Sequence, residues 1–144
     1  MLEIGCGTGR VLARVAEDGA DCTGLDASPA MLDALRQRAP GARAVRGDMC
    51  DFDLGADRFA LIFSAFRPFQ HLVTVEDQLR CLACVRAHLA PGGLFAFDVF
   101  RPRLDLLAVE DGPESVDVRF ELDGEQVARH ARVTRDLVAQ TLRV

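Results

Sequence analysis

The sequence predicts an α/β fold: a doubly wound, mostly parallel sheet with an antiparallel strand extension at its C-terminal end. Three observations carry this reading. Short apolar runs alternate with helical patterns over the first hundred residues, as in a parallel sheet covered on both faces. The first run opens into Glu3-Ile4-Gly5-Cys6-Gly7-Thr8-Gly9, a glycine-rich strand-to-helix turn of the kind that binds nucleotides in such folds. From Val116 onward, apolar and polar residues alternate, the pattern of antiparallel strands with one solvated face.

Residues 1–4 read as the end of a buried strand and 10–17 as the following helix, with Val11, Leu12, Val15 and Ala16 on its apolar side. Gly19 is a natural stop. Residues 22–25 form a second strand ending at Asp26. Ser28 and Pro29 then open a helix as N-cap and first-turn residue, with Met31, Leu32 and Leu35 facing inward. Residues 42–46 form a third strand, and Gly47-Asp48-Met49 turn away from it. The continuous apolar run 59–63 suits a central strand, and 64–72 leave it as a loop. Thr74 caps a helix whose buried side is expected at Leu79, Leu82, Val85 and Leu89. Pro91-Gly92-Gly93 turn into a strand over 94–99. The expected organisation is one domain: a core over 1–100, a connection over 101–115 and an extension over 116–144. That extension reads as a three-strand meander with a hairpin at Asp123-Gly124.

Composition narrows the function. A chain of 144 residues is one domain or a piece of one. It has no apolar run near the roughly 20 residues of a membrane span and no signal-peptide pattern. The net charge of −5 argues against a nucleic-acid surface. All 17 basic residues are arginine, which excludes Schiff-base chemistry and a lysine-based phosphate loop. Five cysteines form no disulfide framework, so the reading is a reduced, cytoplasmic protein. Cys81-x-x-Cys84 falls inside a helix without a second pair, and reads as small apolar filler; no metal is expected.

The first hundred residues resemble the class I S-adenosylmethionine-dependent methyltransferases. Leu2-Glu3-Ile4-Gly5-Cys6-Gly7-Thr8-Gly9 resembles that family's first motif, and Gly24-Leu25-Asp26-Ala27-Ser28 the end of its second strand. Gly47-Asp48-Met49 resembles the turn after its third strand, and Leu89-Ala90-Pro91-Gly92-Gly93-Leu94 the turn into its fifth. The tail is similar, more loosely, to the extra strands of small-molecule members such as sugar-amine N-methyltransferases.

The resemblance implies a role for each motif residue. Glu3 would orient the glycine turn near the methionine end of S-adenosylmethionine, with Gly5, Cys6, Gly7 and Gly9 packing their backbone against the cofactor. Asp26 would take the ribose hydroxyls, with Ala27 and Met31 beside it. Asp48 would accept from the adenine amino group, Met49 would cover the ring, and Ser64 would meet the methionine amino group through its carbonyl. The family's lid helix before the first strand and its last two strands have no counterpart, so the chain is expected to be truncated at both ends.

The chemistry agrees with that implication. S-adenosylmethionine is a net cation, suited to three carboxylates at neighbouring strand tips. A nicotinamide dinucleotide, as in an NAD(P)-dependent oxidoreductase, is the rival ligand. It would bring its pyrophosphate near Glu3, and like charges about 6 Å apart repel by a few kcal/mol. The glycine spacing also differs from G-x-G-x-x-G. Singly, each aspartate could be turn chemistry. A non-catalytic module keeping the fold, and working by partner contact through its extra strands, is the other alternative. Methyl transfer needs alignment and, for a protonated acceptor, a base. His71, in the loop after the fourth strand, is the candidate, against a plain packing or capping role. The chain has no asparagine, and Ser64-Ala65-Phe66-Arg67 lacks the Asn/Asp-Pro-Pro-aromatic motif of methyltransferases acting on nucleobase or glutamine amides. That favours a small-molecule acceptor. The open C-terminal strands could pair two copies into a homodimer.

Overall fold

Leu2–Ile4, three buried residues, form β1 at the centre of a five-stranded parallel sheet in the order β3-β2-β1-β4-β5. The computed structural model describes residues 1–100, 115–122, 125–131, 134–136 and 141–143. Two compact units result, Met1–Phe100 and Arg101–Val144. In the first, α1 (Arg10–Glu17) leads to β2 (Thr23–Asp26), α2 (Pro29–Arg38) to β3 (Arg43–Arg46), and α3 (Val75–His88) to β5 (Leu89–Phe97). β4 (Phe59–Ser64) precedes a short 3-10 turn, Pro68–His71. The winding reverses between β1 and β4, and at such a point ligands bind beyond the carboxyl ends of the strands.

Strand alternation divides the core. Leu2, Ile4, Leu25 and Ile62 face one side, where they pack with Phe52, Cys81 and Val85. The opposite face packs Leu12, Cys22, Leu32 and Leu35, with Phe63 against them. Glu3 is in register with Phe63 and shares that second face. The helix starts follow the sequence. Ser28 Oγ accepts from the Met31 N–H with Pro29 at the first position, and Thr74 Oγ1 accepts from the Asp77 N–H.

Four expectations are corrected. Leu79 (61% exposed) and Leu82 face outward, and α3 buries Cys81 and His88 in their place beside Val85, which is buried as expected. His88 tolerates burial because Nε2 accepts from the Leu54 N–H (2.9 Å) while Nδ1 lies 2.8 Å from the Cys84 carbonyl. Met31 is exposed, on the cavity side of α2, while Leu32 and Leu35 are buried. β5 begins at Leu89 and runs through Pro91-Gly92-Gly93, the irregularity absorbed as a register shift opposite Phe59 and Leu61. It ends at Phe97.

Among the described residues of the second unit are two antiparallel pairs where one meander was expected: β6 (Ser115–Leu122) with β7 (Glu125–Ala131), and β8 (Thr134–Asp136) with β9 (Thr141–Arg143). The β6–β7 pair closes at Leu122 and Glu125; Asp123-Gly124 and residues 101–114 of the expected connection lie outside the described residues. All five cysteines are free. Among the described residues, no helix is long and apolar enough to cross a membrane, and no cluster of side chains could hold a metal ion.

Candidate functional site

A cavity of about 260 Å³ lies beyond the carboxyl ends of β1 and β4. Its floor is Glu3 and the glycine turn, Gly5 to Thr8. One wall is the start of α1, with Arg10 and Val11, and Met31 reaches in from α2. Ala65, Phe66 and Pro68, from the segment after β4, complete it.

The turn is held from beneath. The Gly5 and Cys6 N–H groups both donate to the Leu25 carbonyl, at 2.8 and 3.0 Å. The Gly7 N–H donates to Asp26 Oδ2 at 2.8 Å, and the Ser28 N–H to Asp26 Oδ1 at 2.9 Å. Asp26 thus fixes the glycine turn and the start of α2 together.

Glu3 is 2% exposed, and its Oε2 has no hydrogen-bond partner among the described residues. Burial pushes its pKa up from 4.5 to about 7. The Leu12 N–H in the first turn of α1 pulls the other way, and the Asp26 charge adds to the rise. The Cys6 thiol is pushed up to about 12, by burial first and then by Asp26 and Glu3, so it is an inert wall.

The segment after β4 carries backbone strain. Phe66 and Arg67 have φ of 65° and 70°, left-handed conformations that side chains disfavour. Neighbouring groups hold them there. The Arg67 N–H donates to Asp98 Oδ1 (3.2 Å), and Gln70 exchanges two hydrogen bonds with the Phe100 backbone. The Arg67 guanidinium lies over the Phe100 ring, and the Arg10 guanidinium lies 4.5 Å from the centroid of the exposed Phe66 ring.

Of the residues predicted from sequence, Glu3, Gly5, Cys6, Gly7 and Met31 meet at the cavity. Met49 does not line the cavity; it packs against the core beneath the turn, its Cε 3.5 Å from where a side chain on Gly5 would begin. Gly9 is one step removed, as the N-cap of α1. Asp26 and exposed Ala27 sit in the next turn, and Asp48 in the one after β3, where its Oδ1 accepts from the Cys50 N–H at 2.8 Å. The three acidic residues thus occupy the same end of adjacent strands, with Glu3 alone lining the cavity. Ser64 is buried with Oγ unpartnered among the described residues, and its carbonyl accepts from the Asp98 N–H at 3.4 Å. His71 is exposed at the end of the 3-10 turn and does not line the cavity. Sequence reasoning missed Arg10 as part of the site, although it directly follows the last glycine; it also missed Phe66, for which no sequence signal exists.

The methyltransferase domain family profile matches residues 1–93. The dTDP-3-amino-3,4,6-trideoxy-alpha-D-glucopyranose N,N-dimethyltransferase of Streptomyces venezuelae is 35% identical over 94% of this chain and 55% of its own length. Among solved structures, a SAM-bound amino pentose methyltransferase from Micromonospora echinaspora superposes with a TM-score of 0.76. It is 36% identical, over 94% of this chain and 55% of that one. The CcbJ methyltransferase from Streptomyces caelestis gives a TM-score of 0.80 at 31% identity, over 98% and 60%. The chain therefore spans a little over half the length of these relatives. With its strand order and glycine turn, the chain belongs to the methyltransferase domain family and has the Rossmann-like fold of its class I, S-adenosylmethionine-dependent members.

Proposed function

We propose that this chain forms the cofactor-binding part of an S-adenosylmethionine-dependent methyltransferase acting on the amine of a small, sugar-type acceptor. One observation carries the reading: the buried, unpartnered Glu3 carboxyl under a glycine turn, at the reversal point of the sheet. An uncompensated buried acid favours a ligand that brings positive charge. The relatives, an amino-sugar N,N-dimethyltransferase and an amino pentose methyltransferase, support the acceptor class.

When bound, the cofactor supplies an electrophilic methyl group on a positively charged sulfur. The chain's own part is to hold and shield. Glu3 faces the cation, the glycine turn lets backbone approach closely, and Asp26 receives ribose hydroxyls on the lone pairs left by Gly7 and Ser28. Gly9 sets the entry to α1, Ala27 and Met31 flank the ribose, Asp48 and Met49 take the adenine, and the Ser64 carbonyl takes the amino group. Phe66 and Pro68 keep water from the reacting side. His71, one 3-10 turn beyond Pro68, receives the acceptor's proton on the solvent side. Two copies pair through the open edges of the β6–β7 and β8–β9 ribbons.

Calorimetric titration with S-adenosylhomocysteine tests the cofactor, and transfer of labelled methyl to an amino-sugar panel tests the acceptor. Binding with transfer is expected. Absence of heat at millimolar ligand overturns the cofactor, and binding without transfer leaves a non-catalytic module. Sedimentation tests the dimer.

A further inference from the structure

We propose that Arg38, the last residue of α2, is a positioning residue for cofactor binding: its guanidinium locks the Thr8–Gly9 peptide of the glycine turn from outside the cavity. This rests on the cofactor reading above and adds to it a residue that acts through Thr8. Nη1 of Arg38 donates to both the Thr8 carbonyl (2.7 Å) and Thr8 Oγ1 (2.6 Å). Thr8 lines the cavity and Arg38 does not.

A turn built on glycines has much backbone freedom to lose, so it presents a fixed surface to a ligand only where its peptides are tied. The first part of this turn is tied from β2. The Leu25 carbonyl takes the Gly5 and Cys6 N–H groups, and Asp26 takes the Gly7 N–H. The end of the turn lies beyond those ties. There the Gly9 N–H reaches back to the Cys6 carbonyl (2.9 Å). The other end of the same peptide, the Thr8 carbonyl, lies outside the α1 ladder, which starts with the Ala13 N–H on the Gly9 carbonyl (2.9 Å). The Leu12 N–H, which would serve Thr8 in a longer helix, turns to Glu3. Arg38 takes the carbonyl that Leu12 leaves, so the Thr8–Gly9 peptide is held at both ends.

The packing of α2 puts Arg38 there. Leu35, one turn earlier, has Cδ1 2.2 Å from where a Cβ on Gly9 would begin, so one face of the helix covers Gly9 and then Thr8. A cation suits the C-terminal end of a helix. Arg36 pairs with Asp33, whereas Arg38 has no carboxylate partner among the described residues. With Asp26 bonding the Ser28 N–H at its start, α2 is fastened to the turn at both of its ends.

The test compares the full chain as wild type, Arg38→Met and Arg38→Lys. Two quantities are read: calorimetric affinity for S-adenosylhomocysteine, and amide hydrogen exchange followed by NMR. Arg38→Met keeps the apolar stem and loses the donors. It is expected to bind S-adenosylhomocysteine about three- to tenfold more weakly, the range of one hydrogen bond. Its Gly9 amide is expected to exchange about tenfold faster, while the amides of β1 and β4 keep their wild-type rates. Arg38→Lys, whose ammonium can donate to both Thr8 oxygens, is expected to recover most of each effect. A uniform rise in exchange through the sheet marks a general loss of stability and overturns the positioning role. Unchanged affinity, unchanged Gly9 exchange, or no recovery in Arg38→Lys overturns it too, and each leaves the cofactor reading standing. Absence of S-adenosylhomocysteine binding by the wild type overturns the cofactor reading, and Gly9 exchange then decides the lock alone.

Discussion

The turn after β1 and the loop after β4 both run through left-handed backbone where they meet at the cavity. In the first, Gly5, Gly7 and Gly9 take φ of 68°, 53° and 72°; in the second, Phe66 and Arg67 take 65° and 70°. A side chain in that conformation costs roughly 1–2 kcal/mol, and glycine avoids the cost. The glycine turn gives up side chains so that backbone and ligand can come close. The other loop keeps its side chains despite the strain, braced by Asp98, Gln70 and Phe100. Strain retained at such a rim points to the side chains it presents. Here these are an aromatic face over the cavity and a cation on Phe100.

The largest break in this comparison is Gly9→Ala. A Cβ there would stand 2.2 Å from Leu35 Cδ1, in the core between α1 and α2, at a φ of 72°. Overpacking and backbone strain add, so a loss of about 3 kcal/mol or more is expected, read from the midpoint of urea unfolding.

Glu3 gives the next effect, through pH. Its folded pKa, about 7, lies above the ordinary 4.5, so the folded chain holds an extra proton between those values. Its contribution to stability is fully present below about 4.5 and is lost as pH rises through about 7. At about 1.4 kcal/mol per pH unit the loss is about 3 kcal/mol. Thermal unfolding of wild type and Glu3→Gln between pH 4.5 and 8 should show it: the variant's curve is flatter and crosses above the wild type near neutrality. A cationic ligand reverses the sign, so wild-type affinity for S-adenosylmethionine should rise with pH through the same window, and the variant's should not.

The difference between the two loops also sets what could be read from the sequence. Glycines in a strand-to-helix turn announce their conformation, because few other residues adopt it, so the turn, Asp26 behind it and the parallel sheet were legible. Phe66 and Arg67 carry no such mark; a residue before proline is expected to be extended, and Arg67, before Pro68, is left-handed. Only the tertiary brace from Asp98 and Phe100, some thirty positions away, selects that state. The same limit explains α3. Hydropathy favours Leu79 and Leu82 over Cys81 and His88, but the buried face is decided by the backbone partners that His88 finds at Leu54 and Cys84. Met31 was assigned inward by helical spacing, which cannot distinguish a core edge from a cavity rim.

The smallest and sharpest test exchanges the two loops' residues. Gly7→Ala adds a Cβ that meets nothing within 4 Å, so only the left-handed backbone is taxed, and about 1 kcal/mol should be lost. Arg67→Gly removes the same strain from the other loop, and stability should rise by up to about 1 kcal/mol, less the roughly 0.5 kcal/mol of its cation–π contact with Phe100. Chemical unfolding of the two variants should therefore move in opposite directions. Arg67→Gly should bind S-adenosylhomocysteine more weakly while being the more stable protein, because the neighbouring Phe66 is no longer fixed at the rim. If Arg67→Gly instead lowers stability with affinity unchanged, the loop is unstrained ballast and only the glycine turn belongs to the site.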